Sequence, residues 1–84
     1  MNIQHQQDQH QFIAQLDDHE AKITYHYVDD KTVDFNHTLV PDAFRGHGVA
    51  AELVNTAIAW ADENELAIQA SCSYVRVRLK RLKR

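Results

Sequence analysis

Glycine, proline and cysteine are nearly absent from this chain: two glycines, one proline and one cysteine among 84 residues. The lone cysteine, Cys72, excludes an internal disulfide and suits a reducing cytoplasm. There is no apolar run long enough to span a bilayer, and no basic start leading into an apolar stretch as a signal peptide has. A cytoplasmic protein without a membrane partner is therefore expected. None of the six histidines lies at a spacing that resembles a zinc site, so no metal is expected. Repeats, linkers and low-complexity segments are also missing. What remains is ordinary for a soluble globular protein, 44% hydrophobic and 25% charged. A chain of this length makes one domain, residues 1–84, and buries only roughly 60–65% of its unfolded surface.

Acidic residues are missing from the last eleven positions, which hold six of the nine bases. Residues 1–73 carry all twelve acids against Lys22, Lys31 and Arg45, a net −9. A basic tail over residues 76–84 can grip nucleic acid. It can equally offset the acidic body or complement the carboxyl end of a closing helix. The acidic body argues against nucleic acid.

Residues 1–9 are polar and glutamine-rich and read as a loose lead-in. Phe12, Ala14 and Leu16 alternate with Gln11, Ile13 and Gln15 as a first strand with one mixed face. After a turn at 17–20, Ala21, Ile23, Tyr25 and Tyr27 alternate as a second. Past a hairpin at 29–31, Val33, Phe35, His37 and Leu39 form a third. The three make an antiparallel meander. The period then changes: Val49, Ala50, Leu53, Val54, Ala57, Ile58 and Ala61 recur at three- and four-residue steps, an amphipathic helix of about four turns. It ends near Asn64, and residues 66–70 form a short strand that returns to the sheet in parallel. Residues 74–80 fit either a strand (Val75, Val77, Leu79) or a helix (Val75, Leu79, Leu82), with periodicity leaning to the strand.

Both glycines fall in one stretch, Arg45-Gly46-His47-Gly48-Val49-Ala50, where the third strand hands over to the helix. Without a Cβ, their amides can approach a ligand closely. The helix start leaves about four N–H groups without intrahelical partners. Arg45 and His47 stand at the positive end of the helix dipole, where a cation costs about 0.3–1 kcal/mol. A bound anion reverses that penalty, so the junction reads as a phosphate-binding turn.

The pattern Arg-x-x-Gly-x-Ala, preceded by Leu39-Val40-Pro41 and followed by an apolar helix, resembles the acetyl-coenzyme A core of the GNAT superfamily of N-acetyltransferases. Asn36-His37-Thr38 ahead of it, and Ser71-Cys72-Ser73-Tyr74-Val75 before the closing segment, are similar to a minimal GNAT-like group of about this length. That group usually has a carboxylate where Leu39 stands and prolines near Ala70 and Ser73. The resemblance covers residues 11–84. It implies an α/β (α+β) fold with a GNAT-like mixed sheet: an antiparallel three-stranded meander, one parallel-crossover strand, a central helix and a short C-terminal helix. It thereby selects helix for the closing segment. It also implies a V-shaped cleft where the third strand splays from the fourth. Coenzyme A would lie there, its pantetheine arm paired with the backbone of Leu39 and Val40. Its pyrophosphate would lie on the amides of Gly46, His47, Gly48, Val49 and Ala50, with Arg45 as a phosphate contact.

An acetyl thioester is already activated, so good orientation of an amine supplies up to ~7–11 kcal/mol of the barrier. A backbone N–H near Leu39 or Val40 is a candidate for stabilising the oxyanion. Proton transfer remains. His37 is the candidate base, with His26 as a neighbour, the bland reading being a half-buried sheet residue that shares a face with Phe35 and Leu39. His5, His10 and His19 read as surface residues. Cys72, which the resemblance places facing the cleft, either protonates the leaving thiolate or carries the acetyl group, the bland reading being a small buried side chain. Tyr74 is the other proton donor that the resemblance offers, against core packing. Trp60, Phe35 and Phe44 read as core or its rim.

The function expected is acetyl transfer from acetyl-coenzyme A to a primary amine, on a small molecule or a protein. A coenzyme A-binding protein with little catalysis is the alternative, because no helices intervene to build an acceptor site. A partner or a second copy would then complete that site.

Overall fold

The alternation of apolar and polar residues builds a five-stranded sheet, against which a 3.6-period stripe packs. The computed structural model describes residues 2–44, 46 and 48–83. Its strands are β1 (Asn2–Gln6), β2 (Gln11–Leu16), β3 (His19–Asp29), β4 (Thr32–Leu39) and β5 (Ala67–Ala70). Its helices are α1 (Val49–Glu63) and α2 (Ser73–Arg81), with 3₁₀ turns at Gln7–Gln9 and Asp42–Phe44. The strands lie in sequence order, the first four antiparallel and β5 parallel to β4.

The supposed lead-in is a strand. Asn2 to Gln6 pair with Gln15 to Gln11. Ile3 packs against the core, and the His5 ring stacks on Phe12 at 4.0 Å. The glutamines hid this, because an edge strand is held by its ladder and by one inward row, whatever its polar row contains.

Ala21, Ile23 and Tyr25 of β3 and Val33 and Phe35 of β4 form the sheet side of the core. Val49, Leu53, Val54, Ala57, Ile58 and Ala61 of α1 close it, with Phe44 before the helix and Val75 of α2. Each fully buried leucine or phenylalanine here contributes about 1.5–3 kcal/mol of transfer free energy. α1 ends where Asn64 bonds the Trp60 carbonyl through both its amide and its side chain, and Glu65 takes a left-handed turn at φ 57. Residues 74–80 are helical. Val75 is buried, Leu79 packs against the core, and Arg78, Lys80 and Arg81 sit in the last turn, where the dipole favours cations. That tertiary stripe overrides the slight strand alternation. Among the described residues no helix is long and apolar enough to cross a membrane.

One irregularity shapes everything near the site. Tyr25 pairs with Phe35 and Thr24 with His37, so Asn36 is an extra residue, a β-bulge. Past it every side chain of β4 changes face. Thr38 pairs with the buried Ile23 and so joins the core side, while His37 and Leu39 pair with Thr24 and Lys22 on the other face. The expectation that His37 and Leu39 share a face with Phe35 is thus overturned.

Candidate functional site

β4 and β5 pair only as far as Phe35 and Ala70. One further bond, from the Cys72 amide to the Phe35 carbonyl at 3.1 Å, closes the pair. Beyond it β4 continues through Leu39, bonded to β3 along one edge, with no strand along its other edge among the described residues. The sheet therefore forks. Leu39 is 46% exposed at that tip, and Val40 packs against the core edge.

Cys72 sits in the crotch of the fork. It is half-buried and occupies the N-cap position of α2. Its Sγ lies 3.5 Å from the Thr38 hydroxyl, which the bulge has turned toward it. Burial pushes the thiol up; the Thr38 hydroxyl, the Val75 and Tyr74 amides and the Thr38 amide outweigh burial and leave it below its ordinary value. Sγ makes no formed cap bond, so the α2 amides act as nearby dipoles aimed at the sulfur. The arrangement makes the Cys72 thiol more acidic than an ordinary one.

The connection carrying Cys72 is clamped from two sides. Asp34, only 4% exposed, accepts the Ser71 amide at 2.8 Å and the Ser71 hydroxyl at 2.6 Å. The Arg76 guanidinium reaches back to the carbonyls of Ala70 and Ser71 at 3.3 Å. One base of the tail is thereby occupied within the fold. Thr38 and Ser71 figure in the sequence only as members of the family-like motifs, without a role, and Asp34 is given none. In a strand of strict alternation Asp34 reads as a solvent-facing acid, and nothing local marks a serine 37 positions later as its partner.

The glycine turn is open. Gly46 has φ 84 and Gly48 φ 68, both in the left-handed region, and a Cβ on either would meet nothing within 4 Å. Gly48 caps α1 with no side-chain bond, and the amides of Gly46, Gly48, Val49 and Ala50 find no acceptor among the described residues. Arg45 and His47 lie outside the described residues.

Other candidates are not drawn into the fork. His37 is exposed on the opposite face from Thr38 and Cys72. His26 engages Asn36 at 3.0 Å and lies 3.8 Å from Asp34, not beside His37. Tyr74 is 42% exposed, so it is not core; it lines a groove of about 350 Å³ along α2 with Ser73, Val77, Arg78 and Arg81. His5 is not a plain surface residue, being half-buried and stacked on Phe12, whereas His10 and His19 are exposed as expected, His10 lying over the Tyr25 ring at 5.2 Å. Burial and the nearby His10 lower the pKa of His5. Among the described residues no cluster of three or more metal-ligating side chains occurs.

A family model described as GCN5-related N-acetyl-transferase matches residues 11–84. Protein NATD1 of Xenopus tropicalis is 38% identical over 82 residues, 95% of this chain and 75% of that one. The human Protein NATD1 is 34% identical, again over 95% of this chain and 73% of its own length. Among solved structures, a GCN5-like protein of Staphylococcus aureus determined by NMR has a TM-score of 0.77 at 31% identity, covering 98% of this chain and 80% of that one.

Proposed function

We propose, from the premise that this chain belongs to the GCN5-related N-acetyltransferase family, that it binds acetyl-coenzyme A in the fork between β4 and β5 and passes the acetyl group to a primary amine. The observation that carries this is the fork itself, an unpaired strand edge with an activated thiol at its base and an open glycine turn beside α1. The residues fit the group. The free edge of β4 at Leu39 and Val40 would take the amides of the pantetheine arm. The amides of Gly46, Gly48, Val49 and Ala50, which meet no acceptor among the described residues, would hold the pyrophosphate with that of His47 and the Arg45 charge added.

The protein's own work is then small. Holding the amine against the thioester supplies the largest part of the rate. A backbone N–H at the tip of β4 stabilises the oxyanion. As the tetrahedral adduct collapses, the carbon–sulfur bond breaks, and Cys72 gives its proton to the departing thiolate. The proton lost by the acylated amine, relayed through solvent, restores the Cys72 thiol. A thiol held below its ordinary value is a competent donor to a thiolate of ordinary basicity. Tyr74 is kept as the alternative donor.

A second reading, binding with little turnover, draws on the hairpin that joins β2 to β3 at residues 17–18. No helix stands there to wall an acceptor pocket, so a partner or second copy would supply that wall. Calorimetry with acetyl-coenzyme A tests both readings at once. Binding to the wild type that Gly48→Val and Arg45→Glu each weaken is the expected result, and no binding to the wild type ends both. Release of free coenzyme A thiol across a panel of amines then separates transfer from binding alone.

A further inference from the structure

At the opposite end of α1 from the glycine turn, aromatic rings from three elements wall a pocket of about 380 Å³. His10, Tyr25, Tyr27 and Trp60 supply the rings, while Asp30 and Asn64 supply polar groups. The Tyr25 ring lies 4.8 Å from Trp60 and 6.0 Å from Tyr27, and His10 meets Tyr27 edge-on at 5.5 Å. Tyr25 is pinned from behind, because its hydroxyl bonds His5 Nε2 at 2.6 Å. Burial, with Tyr27 beside it, raises its pKa to about 12, so it stays neutral. Tyr27 nonetheless remains 45% exposed. Asp30 has no ion-pair or hydrogen-bond partner among the described residues.

Three features here prefer the same ligand. Aromatic faces attract cations. Asp30 brings an unengaged carboxylate. The carbonyl end of α1, whose last turn holds no basic residue, adds negative potential beside Trp60 and Asn64. We propose that this pocket binds a small alkylammonium ion, its methylenes against Tyr27 and Trp60 and its ammonium head on Asp30. A primary ammonium suits it better than a quaternary one, because its three donors can answer the carboxylate and the tyrosine hydroxyls. The site is not the acceptor position of the fork. Trp60 stands twelve residues along α1 from Gly48, about 18 Å at the helical rise. The proposal is independent of coenzyme A binding.

Trp60 is the sole tryptophan, so its fluorescence reports on this pocket. The full chain, without coenzyme A, is titrated with butylammonium chloride and in parallel with 1-butanol, its uncharged counterpart. A saturable change with the amine and none with the alcohol is expected. Tyr27→Ala and Asp30→Asn, both at exposed positions, should each weaken binding roughly tenfold. Amide NMR shifts should centre on Tyr27, Asp30 and Asn64. A response that never saturates, an equal response to butanol, unchanged affinity in Asp30→Asn, or shifts centred on Thr38 and Cys72 would each overturn the assignment. Should Tyr27→Ala fail to fold, Asp30→Asn and the shift map decide alone.

Discussion

Removing the Thr38 hydroxyl should slow the chemistry of Cys72 by a calculable amount. Burial opposes a charge on the sulfur, and the Thr38 hydroxyl at 3.5 Å is the first of the groups that favour it. Thr38→Val keeps the side-chain shape and deletes the donor. Hydrogen bonds to charged groups contribute about 1.5–3 kcal/mol. Both partners here are only half-buried, so the low end applies, about 1.5 kcal/mol or roughly tenfold in thiolate population. The sign is fixed: losing a donor to the thiolate leaves burial less opposed, so the thiolate becomes rarer at neutral pH. Alkylation by iodoacetamide, followed across pH, should slow roughly tenfold near neutrality and reach the same plateau at high pH, where both variants are fully ionised. Equal rates in the two proteins would mean that the helix amides alone tune the sulfur. A wild-type Cys72 no faster than a cysteine in an unfolded peptide would refute the reasoning from its premise.

Gly48→Ala should lower stability by about 1–2 kcal/mol through backbone conformation alone, since φ is 68 and a Cβ meets nothing; Gly48→Asn, tolerant of that region, should lose less in a thermal melt. At this chain length each kcal/mol corresponds to about 4–8 °C in Tm. Asp34→Ala should cost about 1–3 kcal/mol by leaving the Ser71 amide and hydroxyl without their acceptor, and Asp34→Asn less, as read by urea unfolding. His5 carries a pKa lowered by burial and by His10. Its contribution to stability is therefore present above the ordinary histidine value of 6.5 and lost as pH falls below it. Unfolding free energy measured on either side of that pH should fall on acidification, and fall less in His5→Leu.

Most of the sheet and α1 could be read from periodicity, because their buried rows obey it, whereas α2 came from the resemblance against a slight strand alternation. Ile23, Tyr25, Val33 and Phe35 alternate, and Leu53, Val54, Ala57 and Ile58 follow the helical stripe. Two features could not be read that way. β1 is held by pairing with β2 and by a stacked histidine, and neither leaves a hydrophobic signature in a glutamine-rich segment. The bulge at Asn36 turns on a single uncounted residue, yet it decides that Thr38 and not His37 meets Cys72. The glycine turn announced itself because positive φ at a helix start selects glycine. The Asp34–Ser71 clamp did not, since it joins residues 37 apart.

The two walls of the fork are unequally built, and that inequality bears on what the protein can select. On the β5 side the approach to Cys72 is tied at three successive points. Arg76 holds the Ala70 carbonyl, Asp34 holds Ser71, and the Phe35 carbonyl takes the Cys72 amide. Such a connection keeps a sulfur within the narrow tolerance that orientation-based catalysis demands. On the β4 side the tip carries His37 and Leu39 exposed, with no element of the described chain over them. If the chain acts as proposed above, its fold serves the placing of a thioester, whereas discrimination between amines is not provided for. Specificity requires buried polar groups that a wrong acceptor leaves unpaired. The exposed face around His37 offers none, so selectivity for one amine has to come from whatever covers that face. Added partner protein should therefore narrow the range of amines acetylated more than it raises the rate with the best of them, and acetylation assays across an amine panel with and without it measure that difference.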